Sequence, residues 1–205
     1  MGITERKERQ RAELREQILA AARRIVVRDG FEALTMRKIA DAIEYSAATL
    51  YLYFENREAI GRQLCTESFE HLLRYLSAVA AVEDPVERLR AIGRSYVAFG
   101  LENPEEYKLV FMTDSAFMES IFGENMKTPD DPGARAFDFL TETVRACQSA
   151  GVMIAGDPTV IAEMLWTSVH GIVSMALTCR VAIESPLDDI TDMLLTTITR
   201  GLLIA

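Results

Sequence analysis

The sequence has 205 residues, a net charge of −9 and 49% apolar or aromatic residues, which excludes a disordered chain and predicts one or two folded domains. The charge is uneven: residues 1–62 carry +2 and the remainder −11, which excludes a protein that coats a polyanion over its whole surface. The charged N-terminus has no apolar run and is not expected to act as a secretory signal.

Cysteine spacing and the longest apolar stretch both favour the cytoplasm. Cys65, Cys147 and Cys179 show neither metal-ligand spacing nor a disulfide framework, which suits a reducing compartment. The apolar stretch 164–179 is short and contains His170, so we expect a buried helix there rather than a membrane span. The sequence therefore predicts a cytoplasmic protein without a membrane partner.

Three helices are predicted in the N-terminal part, and the second and third of them are short. Apolar residues at helical spacing make the first helix firm over 13–28, with its start in the charged leader and its end at Asp29-Gly30. Thr35 is the predicted N-cap of a second helix. The buried stripe of this second helix is expected to be Met36, Ile39, Ala40 and Ile43. Glu44-Tyr45 form the turn, and Ser46 caps a third helix to about Phe54.

Later helices are marked by capping residues, and four of them by a proline at the first helical position. Asn56 is the predicted cap of a fourth helix that ends near Val82. The other helices are expected over 85–102, from 104 onward, and over 134–150, 158–181 and 186–204. Residues 123–133 are rich in turn formers and predict a mobile surface loop. We therefore expect an all-α protein of nine or ten helices in two unequal domains, 12–72 and 73–205.

The second and third predicted helices, over about 35–54, form a helix-turn-helix, which places one helix in the major groove of DNA. A helical wheel turns one set of side chains toward the first helix: Ala47, Leu50, Tyr51 and Phe54. The opposite face carries Ala48, Thr49 and Leu52, of which only Thr49 offers a flexible hydrogen-bonding group. Direct reading of bases should therefore be sparse, and DNA shape should contribute much of the specificity.

The segment from Ile18 to Leu64 resembles the N-terminal domain of the TetR family of bacterial transcriptional regulators. The residues that carry the resemblance are Ile18, Leu19, Ala21, Ala22, Val26, Gly30, Phe31, Thr35, Met36, Ile39, Ala40, Tyr45, Ser46, Ala48, Thr49, Leu50, Tyr51, Tyr53, Phe54, Asn56, Arg57 and Ile60. Two positions depart from the family pattern. Glu44 stands where the family usually has glycine in the turn, and Arg57 stands where it usually has lysine.

The expected DNA-binding set consists of helix-capping residues, small residues that face the groove and residues that contact phosphates. They are Thr35, Arg37, Lys38, Tyr45, Ser46, Ala47, Ala48, Thr49, Tyr51, Tyr53 and Arg57. Arg57 should reach phosphate from a helix N-terminus. The simpler alternative for Tyr51 and Tyr53 is that both are core aromatics. The family resemblance implies a homodimer that represses a promoter with a palindromic operator and releases it when a small molecule binds the C-terminal domain.

The C-terminal half resembles a TetR subgroup named for a Trp-His-Gly signature, through Asn103–Phe111 and through Trp166, His170 and Gly171. Aromatic and methionine side chains here predict a site for a small, largely apolar effector. The expected effector-binding residues are Tyr96, Phe99, Tyr107, Phe111, Met164, Trp166 and His170. His170 or Tyr107 would orient the ligand. Ordinary core packing is the alternative for each of them.

Dimerisation is expected through the last two helices, which carry more apolar surface than one core needs. The proposed contacts are Trp166, Val169, Ile172, Val173 and Leu177 on one helix and Ile190, Met193, Leu194, Thr197 and Ile198 on the other. Glu67 and His71 are expected to be a surface pair, and the sequence predicts no metal site, cofactor or catalytic residue. Two other functions stay open: a DNA-bound structural factor without an effector, and an enzyme built on a helical bundle.

Overall fold

The computed structural model describes residues 2–113, 115–122 and 130–204, and within these ranges the chain is helical and contains no strand. The expectation of an all-α fold with nine or ten helices is confirmed. The described helices are α1 (Ile3–Asp29), α2 (Met36–Ala42), α3 (Ala47–Leu50), α4 (Arg57–Ser77), α5 (Pro85–Glu102), α6 (Pro104–Phe111), α7 (Ser115–Phe122), α8 (Pro132–Ser149), α9 (Pro158–Thr178) and α10 (Leu187–Leu202).

Side-chain caps fix the predicted starts of several helices. Thr35 accepts a hydrogen bond from the backbone N–H of Lys38 at 3.1 Å and begins α2. Asn56 accepts one from the N–H of Ala59 at 2.8 Å and begins α4. These bonds satisfy backbone donors that the first helical turn leaves without partners. Because they depend on local sequence alone, these starts were predictable.

The structure differs from expectation at several helix boundaries and by one additional helix. The third helix ends at Leu50 rather than near Phe54, and α4 ends at Ser77 rather than near Val82. Helix α7 was not predicted. Helix α8 begins at Pro132, inside the expected loop, because Asp131 caps it by accepting from the N–H of Ala134 at 2.9 Å. Residues 123–129 of that expected loop lie outside the described residues.

The chain packs as two compact units whose division differs from the expected one near residue 72. The N-terminal unit joins the residues up to Ser68 with α6 from Glu105 and with α7. Aromatic packing holds α7 in this unit, since the rings of Phe31 and Phe117 lie 4.3 Å apart. A charged contact holds α6, since the Arg23 guanidinium lies 3.8 Å from the Glu106 carboxylate. Such long-range contacts leave no local signal in the sequence.

The C-terminal unit joins Phe69–Pro104 with the described residues from Asp130 onward. Its core lies among α5, α8, α9 and α10. Arg94 of α5 forms an ion pair with Asp192 of α10 at 2.7 Å, and Gly93 faces Leu195 of α10. A Cβ built on Gly93 would lie 2.5 Å from a Leu195 methyl group, so glycine permits the close approach of α5 and α10.

We predict that Gly93→Ala lowers the free energy of unfolding by about 1–3 kcal/mol, because the added methyl group overpacks the contact with Leu195. Thermal or urea unfolding followed by circular dichroism measures the change. Gly201→Ala is the matched control: Gly201 is also helical, and nothing lies within 4 Å of its built Cβ. Equal stability of the two variants would contradict the tight packing at Gly93.

Candidate nucleic-acid interface and ligand site

The turn between α2 and α3 contains a residue in the left-handed backbone region. Glu44 has φ 59°, the only positive φ at a non-glycine position among the described residues. A Cβ in this region meets backbone atoms, at a cost of roughly 1–2 kcal/mol. The backbone N–H of Tyr45 donates to the Ala40 carbonyl at 3.0 Å and closes the turn. Glu44 therefore adopts a backbone conformation that glycine adopts without this cost.

Helix α3 has four residues and is held by burial of its inner face. Leu50 has no exposed surface, and Phe54, four residues later, is buried with it. The Tyr53 N–H donates to the Leu50 carbonyl at 2.9 Å, so the helical path continues tightly beyond Leu50. At the start of α3, the Ser46 hydroxyl accepts from the Thr49 N–H at 3.2 Å and lies 2.9 Å from the Thr49 hydroxyl. The expected reading group, Thr49, thus already has a hydrogen-bond partner.

Three large side chains project into solvent from the turn and from the end of α3. Leu52 is 73% exposed, Tyr51 57% and Tyr45 46%. The expectation that Tyr51 faces the first helix is wrong, because the buried face is centred on Leu50 and Phe54 and Tyr51 lies beyond its edge. Tyr53 is half-buried, with the Arg11 guanidinium 5.8 Å from its ring centre. The core alternative therefore fails for Tyr51.

The small and cationic members of the expected set occupy the same part of the unit. Ala48 is exposed, and Ala47, which the wheel turned inward, is half-buried. Thr35, Arg37 and Lys38 are exposed at the start of α2. The Arg37 guanidinium lies 4.0 Å from the Asp41 carboxylate, and because both groups are well exposed this pair contributes little stability. The side chains of Thr35, Arg37 and Lys38 are therefore accessible to a phosphate.

Arg57 has a set of inward contacts that the sequence did not reveal. Its guanidinium lies 4.8 Å from the centre of the Phe31 ring and donates to the Leu34 carbonyl at 3.3 Å. It also lies 3.7 Å from the Glu32 carboxylate and donates to Glu58 at 2.9 Å. Arg57 therefore connects the start of α4 to the segment before α2 through these contacts. Its binding to phosphate stays a prediction.

Trp166, Tyr96 and His170, three of the expected effector-binding residues, lie together in the C-terminal unit. The Trp166 indole N–H donates to the Tyr96 hydroxyl at 3.1 Å, and that hydroxyl lies 3.2 Å from Nδ1 of His170. The Trp166 and His170 rings are 5.9 Å apart. Burial lowers the pKa of His170 below its ordinary value, which favours a neutral imidazole at pH 7. These three side chains form the Trp-Tyr-His cluster.

The other four members of the expected set lie elsewhere. Phe99 packs against His71 and Tyr75, with 5.6 Å between ring centres in each pair. Met164 is exposed. Tyr107 and Phe111 belong to the N-terminal unit, where their rings lie 5.0 Å apart. Tyr107 has no exposed surface, which fits the core alternative for that residue.

Apolar and small side chains are exposed along α9 and, beside charged residues, on α10. On α9 they are Val160, Met164, Thr167, Gly171 and Met175, and on α10 they are Met193 and Thr197. By length and hydropathy α9 resembles a membrane span, yet only 33% of its most apolar 18-residue window is buried in its own chain. Three of the expected dimer contacts, Val169, Ile172 and Val173, are instead buried within the unit. The available face is therefore rotated from the expected one.

The described residues contain no cluster of side chains that could bind a metal ion. Among residues 2–113, 115–122 and 130–204, no group of three or more His, Cys, Asp or Glu side chains is placed to hold one. Cys65 and Cys147 are buried and Cys179 is exposed.

Comparisons with known proteins agree with this architecture. The profile of the bacterial regulatory proteins of the tetR family matches residues 18–64, and that of the tetracyclin repressor-like C-terminal domain matches residues 89–198. A TetR-family regulatory protein of known structure from Rhodococcus RHA1 shares the fold with a TM-score of 0.78 at 18% identity. The match covers 93% of this chain and 97% of the other.

Two curated relatives match part of the chain. An uncharacterized HTH-type transcriptional regulator of Haemophilus influenzae is 30% identical over 46% of this chain and 51% of its own length. The HTH-type nicotine-responsive transcriptional repressor HdnoR of Paenarthrobacter nicotinovorans is 32% identical over 38% of this chain and 39% of its own length. The chain therefore spans about half or less of these relatives. The Trp-His-Gly subgroup stays a prediction.

We predict that Glu44→Gly raises the free energy of unfolding by about 1 kcal/mol, because glycine removes the Cβ that strains the left-handed turn. Glu44→Ala is the matched control, since it removes the same charge and keeps the Cβ. Urea unfolding of the three proteins measures the difference. If both variants changed stability equally, the charge rather than the backbone would be responsible.

Proposed function

Because the chain belongs to the TetR family of transcriptional regulators, we propose that it is a cytoplasmic repressor that binds a palindromic operator as a homodimer. The observation that carries this proposal is the exposed face of α2 and α3, where polar, small and cationic side chains surround a helix held from behind by Leu50 and Phe54. A helix so placed fits the major groove of DNA. Release would follow the binding of a small effector in the C-terminal unit.

Few side chains are available to read base edges. Thr49 carries a hydroxyl group on the proposed groove face, and it shares that group with Ser46. Ala48 and Leu52 offer apolar contact, for instance with thymine methyl groups. Arg37, Lys38 and Tyr45 are exposed around this face and suit phosphate contacts. We therefore propose that phosphate contacts and DNA shape supply most of the affinity, with Thr49 setting the base preference at one position.

The outward faces of α9 and α10 support the proposed dimer. Met193 is 73% exposed. The neighbouring exposed residues Gly171, Thr167 and Thr197 are small, so another helix could approach this surface closely. A second copy of the chain would cover this surface, and two helices from each copy would form a four-helix interface. An obligate interface of this kind buries about 2,000 Å² or more. Two-fold symmetry then requires inverted half-sites in the operator.

The Trp-Tyr-His cluster supports an effector site in the C-terminal unit. Its indole, phenol and imidazole rings are largely apolar, and its hydrogen-bonding groups face one another. A ligand that replaces one of these bonds would be oriented by the group it frees. The nicotine-responsive relative makes a small, largely apolar molecule with a hydrogen-bonding group a reasonable class of effector.

A second function, a DNA-bound structural factor without an effector, has one observation in its favour. The polar groups of the Trp-Tyr-His cluster already bond to one another, as expected of a satisfied core. Such a factor would bind many chromosomal sites, whereas a promoter repressor binds one or a few. Membership in a family of regulators argues against an enzyme.

We predict that Thr49→Val alters the preference for one base pair in each half-site by about 1–3 kcal/mol, because the hydroxyl is lost and the shape is kept. Lys38→Ala should instead weaken binding to all sequences equally and reduce the salt slope by about 1. Affinities are measured on a library of variants of the duplex that the wild-type chain selects from random DNA. A uniform loss for both variants would contradict these roles.

We predict that Met193→Asp converts the dimer to a monomer at micromolar concentration, because it buries a charge in an apolar interface. Sedimentation equilibrium measures the mass. Ala20→Asp adds the same charge at an exposed position of α1 in the other unit and should leave the dimer intact. A monomeric wild-type chain, or a dimeric Met193→Asp variant, would contradict the interface.

We predict that an effector changes the fluorescence of Trp166, the only tryptophan, and weakens operator binding by about 1–3 kcal/mol. The operator must then weaken effector binding by the same factor. Nicotine and other small apolar compounds are titrated with and without the selected duplex. Tyr96→Phe, which removes the central hydroxyl of the cluster, should reduce effector affinity. A ligand that perturbs Trp166 and leaves operator affinity unchanged would favour the structural-factor function.

A further inference from the structure

The first turns of α1 extend beyond the packed part of the N-terminal unit. Helix α1 begins at Ile3 and has 27 residues, but the first side chain described as buried in it is Leu14. Residues 3–13 therefore form an N-terminal extension of about 15 Å at 1.5 Å per residue. The extension carries four cationic side chains: Arg6, Lys7, Arg9 and Arg11.

Two of these cations continue the buried stripe of α1. Lys7, Arg11, Leu14 and Ile18 follow one another at intervals of four, three and four residues and so share one helix face. On this face Leu14 and Ile18 are buried, whereas Lys7 and Arg11 are exposed. The apolar stripe that packs α1 into the unit thus becomes cationic where α1 leaves it.

The cationic face lies beside the proposed recognition helix. The Arg11 guanidinium is 5.8 Å from the centre of the Tyr53 ring, just beyond the end of α3. One turn further, the Arg15 guanidinium is 5.2 Å from the Phe54 ring. Since Arg11 contacts Tyr53, the extension projects from the same side of the unit as the end of α3.

The acidic residues of the extension lie largely on other faces. At the start of α1, the Glu5 carboxylate accepts a hydrogen bond from the backbone N–H of Gly2 at 2.8 Å. Glu13 lies 3.6 Å from Arg9 and neutralises it on the far side of the helix. Within the described part of the chain, Lys7 forms no ion pair, and the Tyr53 ring is the contact found for Arg11. Glu8, the remaining carboxylate of the extension, forms no ion pair with either residue, so Lys7 and Arg11 have no carboxylate partner among the described residues.

We infer that the Lys7–Arg11 face of the N-terminal extension is a second DNA-binding element that contacts phosphates of the duplex on which α3 sits. This inference rests on the proposed function, since it takes duplex DNA as the partner. The charges and their position beside Tyr53 match a polyanion bound at α3, and the two side chains lie one helical turn apart, which suits two phosphates. The contacts add affinity without reading sequence.

The test compares two double variants of the full chain that remove the same charge from opposite faces of the extension. Lys7→Ala/Arg11→Ala removes the proposed contacts, and Arg6→Ala/Arg9→Ala is the matched control. The probe is the duplex that the wild-type chain selects from a random library. For Lys7→Ala/Arg11→Ala we expect a salt slope smaller by about 2. Its loss of affinity between 50 and 200 mM salt should therefore be about tenfold smaller than that of the wild type.

Phosphate ethylation interference on the same duplex locates the contacts. For the wild type and the control, ethylation of certain phosphates should weaken binding. Ethylation of the same phosphates should not weaken binding of Lys7→Ala/Arg11→Ala, and all three proteins should have the same base preference. Equal salt slopes and equal interference patterns for the two double variants would overturn the inference. Binding of a partner other than DNA to the Lys7–Arg11 face would also overturn it. Failure of the wild-type chain to select any duplex would contradict the proposed function itself. Circular dichroism and thermal unfolding confirm that both variants are folded.

Discussion

Burial of Leu50 and Phe54 is the constraint on which the candidate interface depends. A four-residue helix cannot hold its own conformation in water, since forming the first turn costs more than its few hydrogen bonds return. The position of α3 therefore comes from its apolar inner face. The left-handed Glu44 sets the turn that delivers this face to the core. The outer-face residues Ala48, Thr49 and Leu52 are therefore oriented by the side chains of Leu50 and Phe54 that are buried behind them.

Arginine side chains stabilise this arrangement by packing on aromatic rings around α3. Arg57 bonds to the Leu34 carbonyl and lies over Phe31, and Arg15 lies over Phe54. Such contacts use the flat guanidinium group, which packs on aromatic rings while its donors bond elsewhere. The same residue type that suits phosphate binding thus also stabilises the unit. Contacts, rather than residue type, distinguish Arg57 from the exposed Arg37.

Local signals account for what the sequence predicted correctly. Capping residues such as Thr35 and Asn56 fixed helix starts, and the spacing of apolar residues identified the helix-turn-helix. The exposure of Tyr51 was not predictable, because a helical wheel shows which residues lie near one another on the helix surface and does not show where the buried face ends. Arg57 contacts Phe31, Glu32 and Leu34, which lie more than twenty positions earlier in the chain. The seven expected effector residues divide between the two units because their packing also depends on long-range contacts. Composition and periodicity carry no information on such distant pairings.

The central claim is that this chain is a promoter-specific repressor acting as a dimer. The most direct measurement is a genome-wide map of its binding sites in the bacterium that encodes it, made by chromatin immunoprecipitation. We expect occupancy at one or a few promoters, each with an inverted repeat whose half-sites lie about one or more helical turns apart. Broad occupancy of many chromosomal sites without an inverted repeat would contradict the account.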